Sequence, residues 1–322
     1  MKEFADLVNL EFCFFPGIGN METGKNGVTG IYKTNDGKAI FLVRENNVLT
    51  YLPTRVGIPT YYPLQSVTLP EKIKAVLMDL DGTSVRTEQF WIWVIEQTTA
   101  RLLNRTDFKF TEEDFPHVSG ASVSEHLKYA INKYCQAIPH ATLENAWKIY
   151  FEITNKEMDA LMQGKGKEDA FKPAPFLKEF LVNLKDKGIK IGLVSSGLYN
   201  KAWPEIKSAF KTLELGDPAE FYDAIVTAGY SIKKGQPGTL GELQAKPHPW
   251  PYAECLHALS VDKSEAIGIE DSGAGVLSVR LAGIPAIGIS GGNIESGGEK
   301  PLCVLYLKDL REVWEQIKNR LS

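Results

Sequence analysis

The sequence contains few cysteines, and they are widely separated. Cys13, Cys135, Cys255 and Cys303 include no C-x-x-C pair. A disulfide framework or a cysteine-based zinc site usually requires thiols at short, regular spacings. We therefore expect four reduced thiols that pack as small core side chains.

Long apolar runs are also missing from the chain. No stretch approaches the roughly 20 consecutive apolar residues that a membrane-spanning helix needs. The first residues, MKEFADLVNLEF, contain acids where a secretory signal has a basic start followed by an apolar segment. These observations predict a cytoplasmic protein that does not bind membranes.

An excess of positive charge is absent as well. The chain has 36 lysine and arginine residues against 40 aspartate and glutamate residues, a formal net charge of -4. Domains that bind nucleic acids usually carry a basic surface, so we expect a small-molecule partner instead. The 322 residues and 43% hydrophobic content are ordinary for a soluble globular chain of about two domains.

Three sequence patterns divide the chain. Residues 1–70 alternate short apolar runs with turns, and the segment 35–37, Asn-Asp-Gly, separates two such runs as in a β-hairpin. Residues 71–85 and 173–322 alternate apolar strands with helical stretches, which predicts a mostly parallel sheet covered by helices. Residues 86–172 have helical patterns and no convincing strand. We expect an α/β core, a helical insertion after its first strand, and a β-rich N-terminal extension.

Polar side chains follow several of the predicted core strands. The first strand, in the segment AVLMDLDGTSV, ends at Asp79, and Asp81 follows two residues later. In a parallel sheet, ligands bind at the carboxyl ends of the strands. Each polar residue alone has an ordinary explanation as a helix cap or a surface group. Their joint occurrence predicts a functional site, and the further candidates are Ser195, Ser196, Lys246, Glu270 and Asp271.

Four segments resemble, in order, the four motifs of the haloacid dehalogenase (HAD) superfamily. They are DLDGT, LVSSG, KPHPWPY and IEDSGAGVLSVRLAGI. The resemblance covers about residues 71–290 and does not extend to residues 1–70. It implies a Rossmann-like core with a helical cap domain inserted after the first motif, as in the phosphatase and β-phosphoglucomutase-like branch of the superfamily.

The resemblance also implies catalytic roles. Asp79 is similar to the nucleophile that attacks phosphorus and forms an aspartyl phosphate. Asp81 is similar to the acid that protonates the departing alkoxide and then accepts a proton from the attacking water. Ser195 would donate a hydrogen bond to a phosphoryl oxygen, and Lys246 would offset the charge that spreads over these oxygens.

A cation is expected, because carboxylates clustered around an anionic phosphate would otherwise repel it. Oxygen ligands favour a hard ion, and we expect Mg²⁺. The resemblance makes Asp79, the main-chain carbonyl of Asp81 and Asp271 direct ligands, with Glu270 acting through water. It further suggests three substrate-binding positions, the last in the cap loop: Gly82, Ser196 and Gly120.

Asp81 favours phosphoester chemistry, because HAD dehalogenases and phosphonate-cleaving members lack an acid there. We expect a Mg²⁺-dependent phosphatase that hydrolyses a small organic phosphomonoester, such as a sugar phosphate or a related metabolite. A phosphomutase of the β-phosphoglucomutase type is the alternative. That type carries a histidine and an arginine where this chain has Trp91 and Val123, which weakens the alternative.

Two further alternatives come from other functional classes. A signalling receiver domain also combines a phosphorylated aspartate, a hydroxyl and a lysine, but its acid pair lies on the first strand, whereas Glu270 and Asp271 come last. A non-catalytic binding protein is disfavoured because the acids are intact. The sequence leaves open the substrate, the oligomeric state, and the roles of residues 1–70 and of the glycine-rich segment 229–244.

Overall fold

A computed structural model describes residue 4 and residues 6–53, 58–114, 123–167, 170–228, 239–240 and 245–321. Its strands are β1 (Val8–Leu10), β2 (Phe12–Phe15), β3 (Gly19–Glu22), β4 (Val28–Lys33), β5 (Ile40–Arg44), β6 (Val48–Leu52), β7 (Thr60–Leu64), β8 (Ala75–Asp79), β9 (Val85–Arg86), β10 (Lys172–Pro173), β11 (Lys190–Leu198), β12 (Ala224–Ala228), β13 (Thr239–Leu240), β14 (Ala266–Glu270), β15 (Ala286–Ile289) and β16 (Leu305–Leu307).

The helices within the described residues are α1 (Glu88–Leu102), α2 (Val123–Tyr134), α3 (Leu143–Met162), α4 (Leu177–Asp186), α5 (Tyr199–Leu213), α6 (Pro218–Phe221), α7 (Trp250–Leu259), α8 (Gly273–Leu281), α9 (Ile294–Gly297) and α10 (Leu310–Ile317). None of these helices combines the length and apolar character that crossing a bilayer requires. All four cysteines are free thiols. The mixed α/β fold and its β-rich N-terminal part are confirmed.

The central sheet has seven strands in the order β13-β12-β11-β8-β14-β15-β16, and every neighbouring pair is parallel. The first core strand, β8, lies in the middle and is buried along its whole length. Val194 of β11 is in register with Asp79, and Ile269 of β14 is in register with Met78. The polar residues at the carboxyl ends of these three strands therefore meet at one edge of the sheet.

The N-terminal extension is an antiparallel sheet in the order β1-β4-β5-β6-β7. The predicted turn at residues 35–37 joins β4 and β5, as expected. Alternate residues of β5 face opposite sides. Phe41 and Val43 belong to the same buried cluster as Leu256 and Leu277 of the core helices. Leu42 packs in a second cluster with residues of the β2–β3 hairpin and β4.

Helix α8 lies between the two sheets. It contacts β14 and β15 of the central sheet and β7 of the extension. Arg280, buried on this helix, donates hydrogen bonds to the main-chain oxygens of Gln65 at 3.0 Å and Leu302 at 2.7 Å. Farther along the extension, the Asn35 main-chain N–H donates to the oxygen of Gly297 at 2.8 Å. The extension is thus packed and hydrogen-bonded against the helices of the core.

The described chain divides into two compact units. One contains Met1–Ser84, Ala174–Ala202 and Leu215–Ser322, and the other contains Val85–Pro173 and Trp203–Glu214. The domain boundaries drawn from the sequence, at residues 70, 85 and 172, stay predictions.

The second of these units, called the helical unit below, contains α1, α2 and α3. One face of α1 is buried along the helix, at Phe90, Val94, Ile95, Thr98 and Leu102. The expectation that residues 86–172 contain no strand needs a small correction, because β9 pairs with β10 through Arg86 and Lys172. Two residues are too short a stretch to produce a periodic signal in the sequence.

Candidate active site

A buried lysine pairs with the carboxylates at the ends of β8 and β14. The Nζ atom of Lys246 lies 2.5 Å from Oδ1 of Asp79 and 2.6 Å from Oε1 of Glu270. It also donates a hydrogen bond to the main-chain oxygen of Val194 at 3.1 Å. The structure therefore brings three of the predicted site residues together from distant parts of the chain.

Glu270 is fully buried, and both of its oxygens accept hydrogen bonds from side chains. The hydroxyl of Tyr252 donates to Oε1 at 2.5 Å, and the hydroxyl of Ser272 donates to Oε2 at 3.2 Å. A Cβ atom at Gly275 would lie 1.9 Å from this carboxylate, so only glycine permits the close approach of α8. Tyr252 lies within the segment KPHPWPY, but no separate sequence signal pointed to its role.

Asp271 completes a group of three carboxylates. One oxygen from each of Asp79, Glu270 and Asp271 lies within 4.8 Å of the others, an arrangement that could hold a metal ion. The turn after β8 makes room for it, because Gly82 has φ +84 and a Cβ there would lie 2.0 Å from Oδ2 of Asp271. The hydroxyl of Ser84 fixes the same turn by donating to the main-chain oxygen of Asp79 at 2.6 Å.

Asp81 lies in a more open position than Asp79. Its side chain is 36% exposed, compared with 8% for Asp79. Lys201, near the start of α5, has its Nζ atom 3.5 Å from Oδ1 of Asp81. Lys201 was missed by sequence reasoning, because a lysine on a helix has no signal that distinguishes it from a solvated surface residue.

The two serines near the carboxyl end of β11 have different surroundings. Ser195 is buried, and its Oγ accepts a hydrogen bond from the Gly197 main-chain N–H at 2.9 Å. Ser196 is exposed, and its Oγ accepts from the main-chain N–H of Lys246 at 3.1 Å. The predicted cap residue Gly120 lies outside the described residues.

Burial and mutual repulsion dominate the electrostatics of the site. Burial, followed by the charge of Glu270, raises the pKa of Asp79 well above its usual range, although Lys246 opposes the shift. The same two causes raise the pKa of Asp271 to about 7. Burial lowers the pKa of Lys246, but the carboxylates of Asp79 and Glu270 outweigh it and raise this pKa above its ordinary value.

One lysine cannot balance three carboxylates at this edge. A divalent cation would supply the missing positive charge and would allow Asp79 and Asp271 to stay ionised at neutral pH. The donor set consists of oxygen atoms, which suits a hard ion such as Mg²⁺. The residues present therefore fit the expected metal, with Glu270 already engaged by Lys246, Tyr252 and Ser272.

Comparison with known proteins decides the family. A family model described as "Haloacid dehalogenase-like hydrolase" matches residues 76–289. The chain belongs to this family. The family resemblance expected from the four motifs is thus confirmed, the chain is an enzyme of the HAD hydrolase class, and membership decides against a signalling receiver. Residues 1–75 precede the matched region.

Two named relatives match this chain over almost the whole of their own length. The beta-phosphoglucomutase of Bacillus subtilis (strain 168) is 26% identical over 263 residues, which are 78% of this chain and 99% of that protein. The validoxylamine A 7'-phosphate phosphatase of Streptomyces hygroscopicus subsp. limoneus is 26% identical over 245 residues, 76% of this chain and 98% of that protein.

A solved structure shows the same fold. The HAD-superfamily hydrolase of subfamily IA, variant 1, from Geobacter sulfurreducens PCA has a TM-score of 0.54 at 18% sequence identity. The similarity covers 79% of this chain and 100% of that one. At this identity the likeness concerns the fold alone.

Proposed function

We propose that this HAD hydrolase is a Mg²⁺-dependent phosphatase that hydrolyses a small organic phosphomonoester through an aspartyl phosphate. The observation that carries the proposal is the contact of Lys246 with Asp79 inside a group of three buried or half-buried carboxylates. A sugar phosphate or a related metabolite is the expected substrate. The names of the two relatives, a phosphoglucomutase and a phosphatase of a phosphorylated small molecule, support this class.

The reaction proceeds in two displacements. A carboxylate oxygen of Asp79 attacks phosphorus, the bond to the ester oxygen breaks, and the departing alkoxide takes a proton from Asp81. Water then attacks the aspartyl phosphate, gives a proton to Asp81 and releases inorganic phosphate, which regenerates Asp79. The greater exposure of Asp81 suits this exchange of protons, because the leaving group and the water arrive from the open side.

Two residues hold the transferring phosphoryl group. Lys246 offsets negative charge as it develops on the phosphoryl oxygens. The oxygen of Ser195 already accepts a hydrogen bond from Gly197, so its own hydroxyl hydrogen is directed elsewhere, and we infer that it donates to a phosphoryl oxygen.

The metal would be held by Asp79, the main-chain carbonyl of Asp81 and Asp271, and through water by Glu270. Bound there, it neutralises phosphate charge that would otherwise oppose attack by a carboxylate. The hydrogen bonds from Tyr252 and Ser272 to Glu270 support its indirect role, because they occupy oxygens that a direct ligand would use.

Replacement of the nucleophile tests the proposal. Asp79→Asn keeps the size of the side chain and an oxygen for Lys246 but removes the attacking carboxylate. Phosphate release from a magnesium-supplemented panel of phosphate esters should fall by at least about a thousandfold. Far-UV circular dichroism should be unchanged. Wild-type turnover in the folded variant would refute Asp79 as the nucleophile.

A phosphomutase is the second candidate, because one relative is named a phosphoglucomutase. The match to this relative covers nearly its whole length. Trp91 and Val123 stand where such mutases have a histidine and an arginine, which favours hydrolysis. Phosphorus NMR of the wild-type enzyme with a hexose 1-phosphate separates the two activities. We expect free phosphate, and an isomeric ester in its place would establish the mutase.

A further inference from the structure

Tyr62 connects the N-terminal extension to the segment that carries Lys246. Its hydroxyl oxygen lies 3.0 Å from Nδ1 of His248. Its ring meets the rings of His248 and Trp250 edge-on, with centroids 5.9 Å and 6.2 Å apart. Tyr62 precedes the family match, which begins at residue 76. The contact therefore starts from a part of the chain outside the family-matched region.

The segment from Lys246 to His248 is held from three directions. The main-chain N–H of Lys246 donates to Oγ of Ser196 in β11 at 3.1 Å. The main-chain oxygen of His248 accepts from the hydroxyl of Ser278 on α8 at 2.5 Å. Tyr62 holds the imidazole of His248 from the extension. The first two contacts belong to the HAD core, and the third is supplied by the extension.

The hydrogen bond between Tyr62 and His248 joins two neutral side chains at neutral pH. Burial raises the pKa of Tyr62 and lowers the pKa of His248, so both side chains are neutral. A neutral phenol donates, and Nδ1 of a neutral imidazole accepts when the proton is on Nε2. The contact is therefore a hydrogen bond between two neutral groups, and Tyr62 is its donor when Nε2 carries the imidazole proton.

The position of Lys246 matters to fractions of an ångström. Its Nζ atom contacts Asp79, Glu270 and the oxygen of Val194 at 2.5 to 3.1 Å. Electrostatic stabilisation of a transition state depends on groups that are already in place before the reaction. A looser segment would weaken these contacts without removing any catalytic group.

We propose that Tyr62 is a positioning residue for Lys246, and that the N-terminal sheet thereby contributes to catalysis. Tyr62 acts through His248 and touches neither the carboxylates nor the phosphoryl group. The inference rests on the proposed phosphatase function. It gives the β-rich extension, which the HAD fold does not require, a role in the reaction.

The strand itself offers a matched pair of variants. Tyr62→Phe removes only the hydroxyl that bonds His248. Tyr61→Phe removes the neighbouring hydroxyl, which donates to the main-chain oxygen of Pro16 at 2.6 Å. The ring of Tyr61 packs with the ring of Tyr51. We expect Tyr62→Phe to lower kcat about three- to tenfold with little change in KM, the effect of one lost hydrogen bond. Tyr61→Phe should retain wild-type kcat.

A double variant tests whether Tyr62 acts through His248. His248→Phe removes the acceptor and should lower kcat about as much as Tyr62→Phe does. The double variant should lose no more than either single one, because both changes break the same contact. Each of three results would overturn the proposal. They are a wild-type kcat in Tyr62→Phe, a loss of kcat in Tyr61→Phe equal to that in Tyr62→Phe, and additive losses of kcat in the double variant.

Amide hydrogen exchange gives a readout that does not depend on activity. We expect the main-chain amides of Lys246 and His248 to exchange faster in Tyr62→Phe and at the wild-type rate in Tyr61→Phe. If the wild-type enzyme releases no phosphate from any ester, the proposed function fails, and exchange alone then decides the positioning role. Unchanged exchange of the Lys246 and His248 amides in Tyr62→Phe overturns that role.

Discussion

At the scale of single residues, the site depends on acids whose pKa values their surroundings raise. Asp79 and Asp271 are each disfavoured as anions by burial and then by Glu270. Function therefore requires charges that the fold alone does not stabilise. Metal binding and stability should be coupled through the same carboxylates.

Removal of one carboxylate should therefore have opposite effects on stability and on metal binding. Without metal at pH 8, Asp271→Asn should raise the free energy of unfolding by about 1 to 2 kcal/mol, since it removes a buried charge. Millimolar MgCl₂ should raise the melting temperature of the wild type and not that of the variant.

Thermal unfolding with and without magnesium measures both effects. Asp262→Asn is a suitable control, because Asp262 caps a short turn away from the three-carboxylate group. An equal magnesium response in wild type and Asp271→Asn would exclude Asp271 as a ligand.

At the scale of elements, the buried carboxylate of Asp114 connects two segments of the helical unit. The carboxylate of Asp114 accepts hydrogen bonds from the hydroxyls of Tyr129 and Tyr134, from Lys133 and from the main-chain N–H of Thr111. Burial acts against the anion, but these donors outweigh it and hold the pKa of Asp114 well below its usual value. These hydrogen bonds connect the segment that ends at Asp114 to helix α2.

Asp114→Asn should destabilise the helical unit by about 2 to 4 kcal/mol. The amide has one acceptor oxygen where the carboxylate has two, and its NH₂ group faces donors. Because the pKa of Asp114 is depressed, its contribution is present above about pH 4 and is lost as the pH falls. Urea unfolding at neutral pH measures the loss, with exposed Asp107→Asn as the control. Equal stability of the two variants would contradict the prediction.

Sequence patterns predicted helices and strands well where one or both faces of the helix or strand are buried. The core strands, the hairpin at residues 35–37 and α1 follow from periodicity and turn residues. The β9–β10 pair did not, because two residues carry no period. The contact between Tyr62 and His248 joins residues 186 positions apart. Periodicity identifies an apolar face but does not say which partner covers it, so this contact could not be predicted.

At the scale of the whole molecule, the extension and the core enclose a carboxylic acid. Glu299 is fully buried, and its oxygens have no hydrogen-bond donor among the residues that the structure describes. Burial, with a smaller contribution from Asp36 of the extension, raises its pKa to about 7. The ionisation state of Glu299 therefore changes near neutral pH.

The stability of the molecule should fall as the pH rises from about 5 to 8. Between the unfolded pKa of Glu299, about 4.3, and its folded value, the folded state binds more protons. The stabilising contribution is thus complete below about pH 4.3 and is lost as the pH passes through the folded pKa. Glu299→Gln should remove a decline on the order of 2 kcal/mol.

Urea unfolding of wild type and variant at several pH values checks this prediction. The relevant quantity is the difference between the two proteins, since Asp79 and Asp271 also titrate. Glu295→Gln, at an exposed position that pairs with Lys300, is the control. Parallel pH profiles for wild type and Glu299→Gln would rule out the assignment.

The double-sided packing of α8 has a consequence for any shortened form of the protein. A chain trimmed to the family-matched region would keep every motif residue, yet it would expose the side of this helix that packs against β7 and would lack the main-chain oxygens of Gln65 and Leu302 that accept from Arg280. Such a fragment should be prone to self-association. The smallest piece that folds well is therefore larger than the piece that carries the motifs.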